Sequence, residues 1–135
     1  MATRYPNILI VEDEATFRRV IAHNLKARGH QIREAETAAE ALSQLVQEEP
    51  DLLLLDINLP DQSGWDVLRE LRRRGMDVPT IVVSAVRVSP NRLAEFRPLA
   101  YLPKPFPLDA LLRLVGHSQS PREDSAEASA SGEES

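Results

Sequence analysis

Charged and polar side chains end four short apolar runs of this sequence. The first run is followed by Glu12 and Asp13, the second by Asp56, the third ends in Ser84, and the fourth leads through one proline to Lys104. If the runs are neighbouring parallel strands, these groups lie together, because sites of open parallel sheets form at the carboxyl ends of the strands. The spacing therefore predicts three carboxylates, a hydroxyl and an ammonium group at one edge of a sheet.

This set of groups favours metal-assisted phosphoryl chemistry. Three neighbouring carboxylates repel one another and raise one another's pKa unless a cation joins them. Oxygen ligands around a partly hydrated site suit Mg²⁺, which binds one or two carboxylates and keeps several waters. A carboxylate held beside the metal can attack phosphorus and form an acyl phosphate. Lys104 could then bind a phosphoryl oxygen through its charge, and Ser84 through a directional hydrogen bond.

The elements that must position these residues alternate regularly along the chain. Apolar runs at residues 8–11, 52–55, 80–84 and 100–102 predict strands, and residues 31–35 predict a weaker one. Helical patterns occupy residues 14–28, a stretch opened by the capping box at residues 37–40, a stretch after residue 63, residues 90–97 and residues 108–115. Five such repeats predict an α/β fold, a doubly wound five-stranded parallel sheet flanked by helices on both faces.

Helical spacing also predicts which side chains face the core. The predicted inner faces comprise Phe17, Val20, Ile21 and Leu25 in the first helix, Ala41, Leu42, Leu45 and Val46 in the second, Val67, Leu68 and Leu71 in the third, and Leu111, Leu112 and Val115 in the last. His23, His30 and His117 stand apart at no metal-ligand spacing. We therefore predict that all three histidines are surface residues.

Composition divides the chain into a nearly neutral domain and an acidic end. Residues 1–117 carry sixteen acids and fifteen bases, and residues 118–135 carry five acids and one base. We expect a single domain over 1–117 and a disordered acidic, serine-rich tail over 118–135, because the tail has no large apolar residue to bury. The run Arg72–Arg74 is interpreted as a favourable charge cluster at a helix C-terminus. Because this is the only basic run and the domain is nearly neutral, the sequence does not predict that the domain binds nucleic acid.

The same composition bears on where the protein works. No apolar stretch approaches the roughly 20 residues that a membrane-spanning helix requires. The first residues show no signal-peptide pattern, and there is no cysteine. We therefore expect a cytoplasmic protein without membrane association, since chains that lack cysteine suit a reducing compartment.

Four segments resemble the receiver domain of two-component response regulators. They are residues 8–14 (ILIVEDE), residues 52–60 (LLLLDINLP) with Gly64, residues 80–85 (TIVVSA) and residues 101–106 (YLPKPF). They arrive in the order of that family, and the resemblance spans roughly residues 7–116. It implies a flavodoxin-like (βα)5 fold and a signalling switch, not a metabolic enzyme. It also implies a sensor histidine kinase or a histidine phosphotransfer protein as phosphoryl donor, and an unknown protein partner downstream.

The resemblance assigns a role to each site residue. Asp56 is the phosphoacceptor, and Ser84 and Lys104 bind the phosphoryl group. The Mg²⁺ ligands are Asp13, Asp56, the backbone carbonyl of Asn58 and, mainly through water, Glu12. Tyr101 is the aromatic switch whose ring follows Ser84. Pro105 follows a cis peptide bond that positions Lys104. Val86 and Asn58 flank the path of the attacking water. Valine cannot activate water, so we expect slow self-dephosphorylation.

The sequence departs from the family pattern before the last strand. The segment between Ser84 and Lys104 is a residue or two shorter than usual, and Pro98-Leu99-Ala100 replaces the common glycine–alanine pair. We therefore expect a short or distorted fourth helix, and neither the partner surface nor the mode of dimerisation is carried over.

Two other functions are weighed against this one. A small Mg²⁺-dependent phosphohydrolase with an aspartyl nucleophile usually carries that residue on its first motif strand, with a second acid two residues later. Here the nucleophile follows the third strand, and position 58 is asparagine. The other alternative is the receiver domain of a longer regulator with a DNA-binding output, and the sequence leaves it open.

Overall fold

Five strands alternate with five helices over residues 5–116, the part of the 135-residue chain that the computed structural model describes. The strands are Asn7–Val11 (β1), Gln31–Ala35 (β2), Leu52–Asp56 (β3), Thr80–Ser84 (β4) and Ala100–Pro103 (β5). The helices are Ala15–Ala27 (α1), Ala38–Gln47 (α2), Gly64–Arg73 (α3), Pro90–Phe96 (α4) and Leu108–Gly116 (α5). Each predicted element is present, with strand ends displaced by at most one residue from the predicted positions.

The strands form one parallel sheet in the order β2-β1-β3-β4-β5, which confirms the predicted fold. The register pairs Val11 with Leu55 and Ser84 with Pro103. The ends of β1, β3, β4 and β5 therefore lie side by side at one edge of the sheet. The strand order reverses beside β1, the place where open sheets of this kind form their sites.

Alternate residues of the strands form two apolar layers, because successive side chains of a strand point to opposite faces. The layer under α1 and α5 contains Ile8, Ile10, Leu52, Leu54, Ile81 and Val83 from the strands. The layer under α2 and α3 contains Leu9, Val11, Leu53 and Leu55. Burial on both faces explains why β1, β3 and β4 are almost continuously apolar in sequence.

Two predicted core residues and one predicted surface residue are placed differently by the structure. Val20 and Val46 are 44% and 55% exposed, so these two predictions are wrong. In α1 the buried face is turned by part of a turn, and Ala22 and Arg18 lie inside instead. His30 is only 8% exposed, contrary to prediction, because its Nδ1 lies 2.7 Å from the backbone oxygen of Tyr5. A buried polar ring is tolerated when it has such a partner.

The fourth helix is short, as predicted, and none of its residues is buried. Arg97 caps its C-terminus with a φ of 47°, the left-handed conformation usually taken by glycine. Side-chain stacking attaches the helix to α3: the Phe96 ring lies 5.2 Å from the Trp65 ring, centroid to centroid. Arg72 of α3 also contacts α4. Its guanidinium carbon lies 4.9 Å from the centroid of the Phe96 ring, and its Nη2 donates to the Glu95 carbonyl at 2.7 Å.

The predictions made for His117 and for the tail at residues 118–135 lie outside the described residues. In the described part of the chain, no helix is both long enough and apolar enough to cross a membrane.

Candidate functional site

The carboxylates of Glu12, Asp13 and Asp56 meet where β1 and β3 end. Each offers an oxygen to a set whose members lie within 4.8 Å of one another. Glu12 and Asp56 are only 3% and 4% exposed, whereas Asp13 is exposed. The structure thus brings together the three acids that the sequence singled out, two of them beneath the surface and one facing solvent.

Lys104 reaches this acidic cluster from the end of β5. Its Nζ donates to Oε1 of Glu12 at 2.8 Å and to Oδ2 of Asp56 at 3.0 Å. Its backbone amide donates to the carbonyl of Ser84 at 2.8 Å, and the Lys104–Pro105 peptide bond is cis. The ammonium group also lies 5.2 Å from the centroid of the Phe17 ring. One cation is therefore held between two of the three acids.

Burial and pairing change the acidity of this group of residues. Burial raises the pKa of the Glu12 carboxyl, and the hydrogen bonds from Lys104 and from the Glu14 backbone only partly offset the rise. Burial alone would lower the pKa of Lys104, but its hydrogen bonds to Glu12 and Asp56 outweigh that effect and raise it. The Lys104 ammonium is thus paired with both buried acids of the site.

The loop after Asp56 is shaped by the site. The Asn58 amide donates to Oδ1 of Asp56 at 2.9 Å, so both oxygens of this carboxylate have a hydrogen-bond donor. The loop closes through the Gly64 amide, which donates to the Ile57 carbonyl at 2.8 Å. A Cβ on Gly64 would lie 2.7 Å from the Asp56 carbonyl oxygen, a distance that side chains cannot adopt without displacing the backbone. Glycine is thus required here for the loop to approach Asp56.

Ser84 lies at the end of β4 with its hydroxyl directed along the β4–α4 loop. It is 1% exposed, and its Oγ donates to the Val86 carbonyl at 2.7 Å and accepts from the Val86 amide at 3.0 Å. The same Oγ lies 3.2 Å from Oδ1 of Asn58. In this conformation the hydroxyl is engaged by its own loop and by Asn58, and no hydrogen bond joins it to Asp56 within the described residues.

Tyr101, in β5, packs against a small cluster beside the site. The buried members of this cluster are Ile57, Trp65 and Val82, and Phe96 packs against it together with Tyr101. Tyr101 is half-buried, so its ring sits between the core and the surface. Because Ile57 follows Asp56 directly, this cluster connects the site to α4.

Two residues that support the site were not singled out from the sequence. Arg18 is 5% exposed and donates from Nη1 to the Glu12 carbonyl at 2.8 Å and from Nε to Glu34 at 2.7 Å. The sequence gives only a weak indication that Arg18 is buried: it lies three residues before Ile21, on the face that the helical period buries. Asp61 accepts hydrogen bonds from the amides of Ala38 and Ala39, which lower the pKa of its carboxyl. Only the fold brings that loop to the start of α2.

The donor set fits a magnesium ion. All the candidate ligands offer oxygen, the donor that Mg²⁺ prefers, and the exposed Asp13 leaves a side on which water ligands can remain. Asn58 follows in the loop that begins at Asp56, so its backbone carbonyl is close in the chain to the same acids. The residues of this edge could therefore hold a divalent cation.

Known proteins give an independent view of the chain. Residues 8–116 match the model of the response regulator receiver domain family. Over 107 residues the chain is 36% identical to the response regulator MprA of Mycobacterium avium, an alignment covering 78% of this chain and 47% of that protein. The MprA protein of Mycobacterium tuberculosis H37Rv is likewise 36% identical, with 46% of its length covered. The chain thus spans less than half the length of these relatives.

Solved structures agree with the sequence comparison. The non-phosphorylated HemR receiver domain of Leptospira biflexa matches with a TM-score of 0.74 and 29% identity, covering 81% of this chain and 90% of that one. The response regulator TrrA of Thermotoga maritima in complex with Mg²⁺–BeF matches with a TM-score of 0.70 and 32% identity, covering 79% and 93%. With the fold, the edge acids and the family match in agreement, this chain belongs to the receiver-domain family of two-component response regulators.

Proposed function

We propose that this receiver domain is a Mg²⁺-dependent switch that accepts a phosphoryl group on Asp56. The donor is a sensor histidine kinase or a histidine phosphotransfer protein, and the phosphorylated domain changes its binding to a downstream protein. One observation carries the proposal: the buried Asp56 carboxylate lies within 4.8 Å of two further acids and 3.0 Å from the Lys104 ammonium. A buried acid with an adjacent cation and a candidate metal site is a carboxylate placed for covalent chemistry.

The transfer step can be written for the residues of this site. A carboxylate oxygen of Asp56 forms a bond to phosphorus while the bond from phosphorus to the donor imidazole breaks, and the imidazole leaves with the electron pair. Mg²⁺, when bound, would supply positive charge to the phosphoryl oxygens, and the residues that would hold it are Asp13, Asp56, the Asn58 carbonyl and, through water, Glu12. Lys104 would exchange its bond to the Asp56 oxygen for one to a phosphoryl oxygen. The product stays on the chain, which distinguishes a switch from an enzyme that turns over a metabolite.

The switch itself is assigned to Ser84 and Tyr101. Phosphorylation replaces the single charge of the Asp56 carboxylate by the roughly two charges of a phosphoryl group, so it adds about one negative charge and several acceptor oxygens at the edge of the sheet. If Ser84 exchanges its bonds to Val86 for one to the phosphoryl group, it vacates space toward the cluster in which Tyr101 packs. Moving a population from 1:99 to 99:1 requires about 5.5 kcal/mol. One or two charge-assisted hydrogen bonds of roughly 1.5–3 kcal/mol each could supply much of it.

The acceptor role is tested with a small acyl-phosphate donor. We expect intact-mass spectrometry to show one added phosphate in the presence of Mg²⁺ and little after chelation, because the three acids need a cation before a phosphate can approach. Asp56→Asn should not gain the phosphate, whereas Asp109→Asn, which changes an exposed acid of α5, should gain it normally. An unchanged yield in Asp56→Asn would refute the assignment.

The switch is tested separately with Ser84→Ala and Tyr101→Ala. Ser84→Ala should still accept the phosphate but lose most of the NMR shift changes that a phosphoryl mimic induces in β5 and α5. Tyr101→Ala should keep the chemistry and weaken partner binding. If Ser84→Ala responds to the mimic as the unmodified chain does, the coupling is wrong and Tyr101 serves only in packing.

A further inference from the structure

A groove opens at the end of the molecule opposite Asp56. It has a volume of about 550 Å³ and lies between the second half of α3, the start of β4 and the α4–β5 connection. We call it the basal groove and define it by Leu71, Arg72, Met76, Arg97 and Leu99. Leu99 is 57% exposed, so its side chain forms an uncovered apolar wall.

Two arginines give the basal groove a positive rim. Arg97 is exposed, and no ion pair or hydrogen bond of its guanidinium is found among the described residues. Arg72 uses one nitrogen for the Glu95 carbonyl and stacks on Phe96, which fixes the plane of its guanidinium. Among the described residues that line the groove, Asp77 is the only acid. The rim is therefore suited to carboxylates, which a fixed guanidinium binds well.

Bases in the last turns of three helices lie near the basal groove for a topological reason. In a parallel sheet every crossover helix ends at the edge where the strands begin, and bases are favoured in the last turn of a helix. Lys26 occupies the last turn of α1, Arg72 and Arg73 that of α3, and Arg113 that of α5. The acids Glu12, Asp13 and Asp56 lie at the opposite edge. Three of the five helices thus place bases near this edge; Arg73 is paired with Glu70, and the acids Glu48, Glu49 and Asp51 also lie at this edge, between α2 and β3.

The chain itself supplies an acidic segment at this end. After α5 ends at Gly116, residues 118–135 carry five acids and one base and no large apolar residue. A sheet of five strands is about 20 Å wide at roughly 4.8 Å per strand. A chain segment of this length can extend about 60 Å at roughly 3.3 Å per residue, so its acids can reach any part of the basal edge.

We propose that residues 118–135 bind across the basal groove, with their carboxylates at Arg72 and Arg97. Charge complementarity, departure from the same edge and sufficient length identify this segment as the occupant. The contact is electrostatic, because the segment offers five acids and no large apolar residue.

The proposal is tested on the full chain with a spin label. Because the chain has no cysteine, Ser131→Cys gives a single attachment site for a nitroxide. At low salt we expect the label to broaden the amide NMR signals of residues 72–76, 96, 97 and 99 several-fold more than those of residues 19–24 on α1. The difference should vanish near 1 M salt, where the screening length is about 3 Å.

Charge variants of the labelled chain provide the matched controls. Arg97→Gln should reduce the broadening at the groove, whereas Arg19→Gln, which changes an exposed arginine on α1, should leave it unchanged. Replacing the five acids by their amides should abolish it; these acids are Glu123, Asp124, Glu127, Glu133 and Glu134.

Three results would overturn the proposal. The first is broadening spread evenly over the molecule or centred elsewhere. The second is groove broadening that survives replacement of the five acids. The third is broadening that appears equally when unlabelled ¹⁵N-enriched chain is mixed with labelled chain lacking ¹⁵N, which would show that the segment reaches a second copy.

Discussion

The three acids of the site differ in burial and in hydrogen bonding. Glu12 is buried and bonded to Lys104, Asp13 faces solvent, and Asp56 is buried with a donor on each oxygen. The sequence could predict that these acids meet, because each follows a strand. It could not predict which of them Lys104 contacts, since that depends on side-chain conformation in the folded edge.

The first residue-level prediction concerns the lifetime of the phosphorylated state. The backbone of Val86 binds the Ser84 hydroxyl, while its side chain is 59% exposed and has no group that could orient water. We expect slow self-dephosphorylation, and a severalfold change of the decay rate in Val86→Glu. Val46→Glu changes an equally exposed valine on α2 and should decay like the unmodified chain. Identical decay in all three would refute the placement of Val86.

The second residue-level prediction concerns pH. The hydrogen bonds of Arg73 and Arg74 lower the pKa of Glu70 from 4.5 to about 2. Since the pKa is lower in the folded chain, these ion pairs stabilise it fully above pH 4.5, and the contribution is lost as the pH falls toward 2. A carboxyl ¹³C NMR titration should show the low midpoint, and Arg73→Gln should move it upward. A midpoint near 4.5 in the unmodified chain would contradict the observed pairing.

At the scale of elements, strands were easier to predict than helix faces. Strands β1, β3 and β4 are buried on both sides, so their apolar runs are unambiguous. In helix α1, hydrophobicity alone predicts that Val20 is buried and Arg18 exposed, whereas the structure buries Arg18 and exposes Val20. Arg18 is stable inside because the Glu12 carbonyl and Glu34 lie within its reach. That contact depends on the neighbouring strand β2, which a helical period does not describe.

Helix α4 gives the element-level prediction. None of its residues is buried, so its attachment depends on the stack of Phe96 on Trp65. Phe96→Ala should lower the free energy of unfolding by about 1–3 kcal/mol, from lost apolar burial and the lost aromatic pair. It should also shift the emission of Trp65, the single tryptophan of the chain, to longer wavelength. Leu99→Ala, at an exposed position, is the control, and equal effects of the two variants would contradict the attachment by stacking.

At the scale of the whole molecule, the parallel fold gathers the site residues at one edge of the sheet. Every strand that carries a site residue ends at that edge, and bases occupy the last turns of α1, α3 and α5 at the other. The alternation of the sequence predicted the parallel sheet and the meeting of the acids at one edge, but not the position of the bases. It did not predict the basal groove, which arises where the short α4 and the α4–β5 connection leave part of α3 uncovered.

The central claim is that, of three neighbouring acids, Asp56 alone receives the phosphoryl group. Reduction of the acyl phosphate with borohydride converts the modified aspartate to homoserine, which tandem mass spectrometry can locate. After reaction with an acyl-phosphate donor and Mg²⁺, we predict the reduced residue at position 56 and nowhere else. A reduced residue at position 13 or 12, or none despite an added phosphate, would contradict the account.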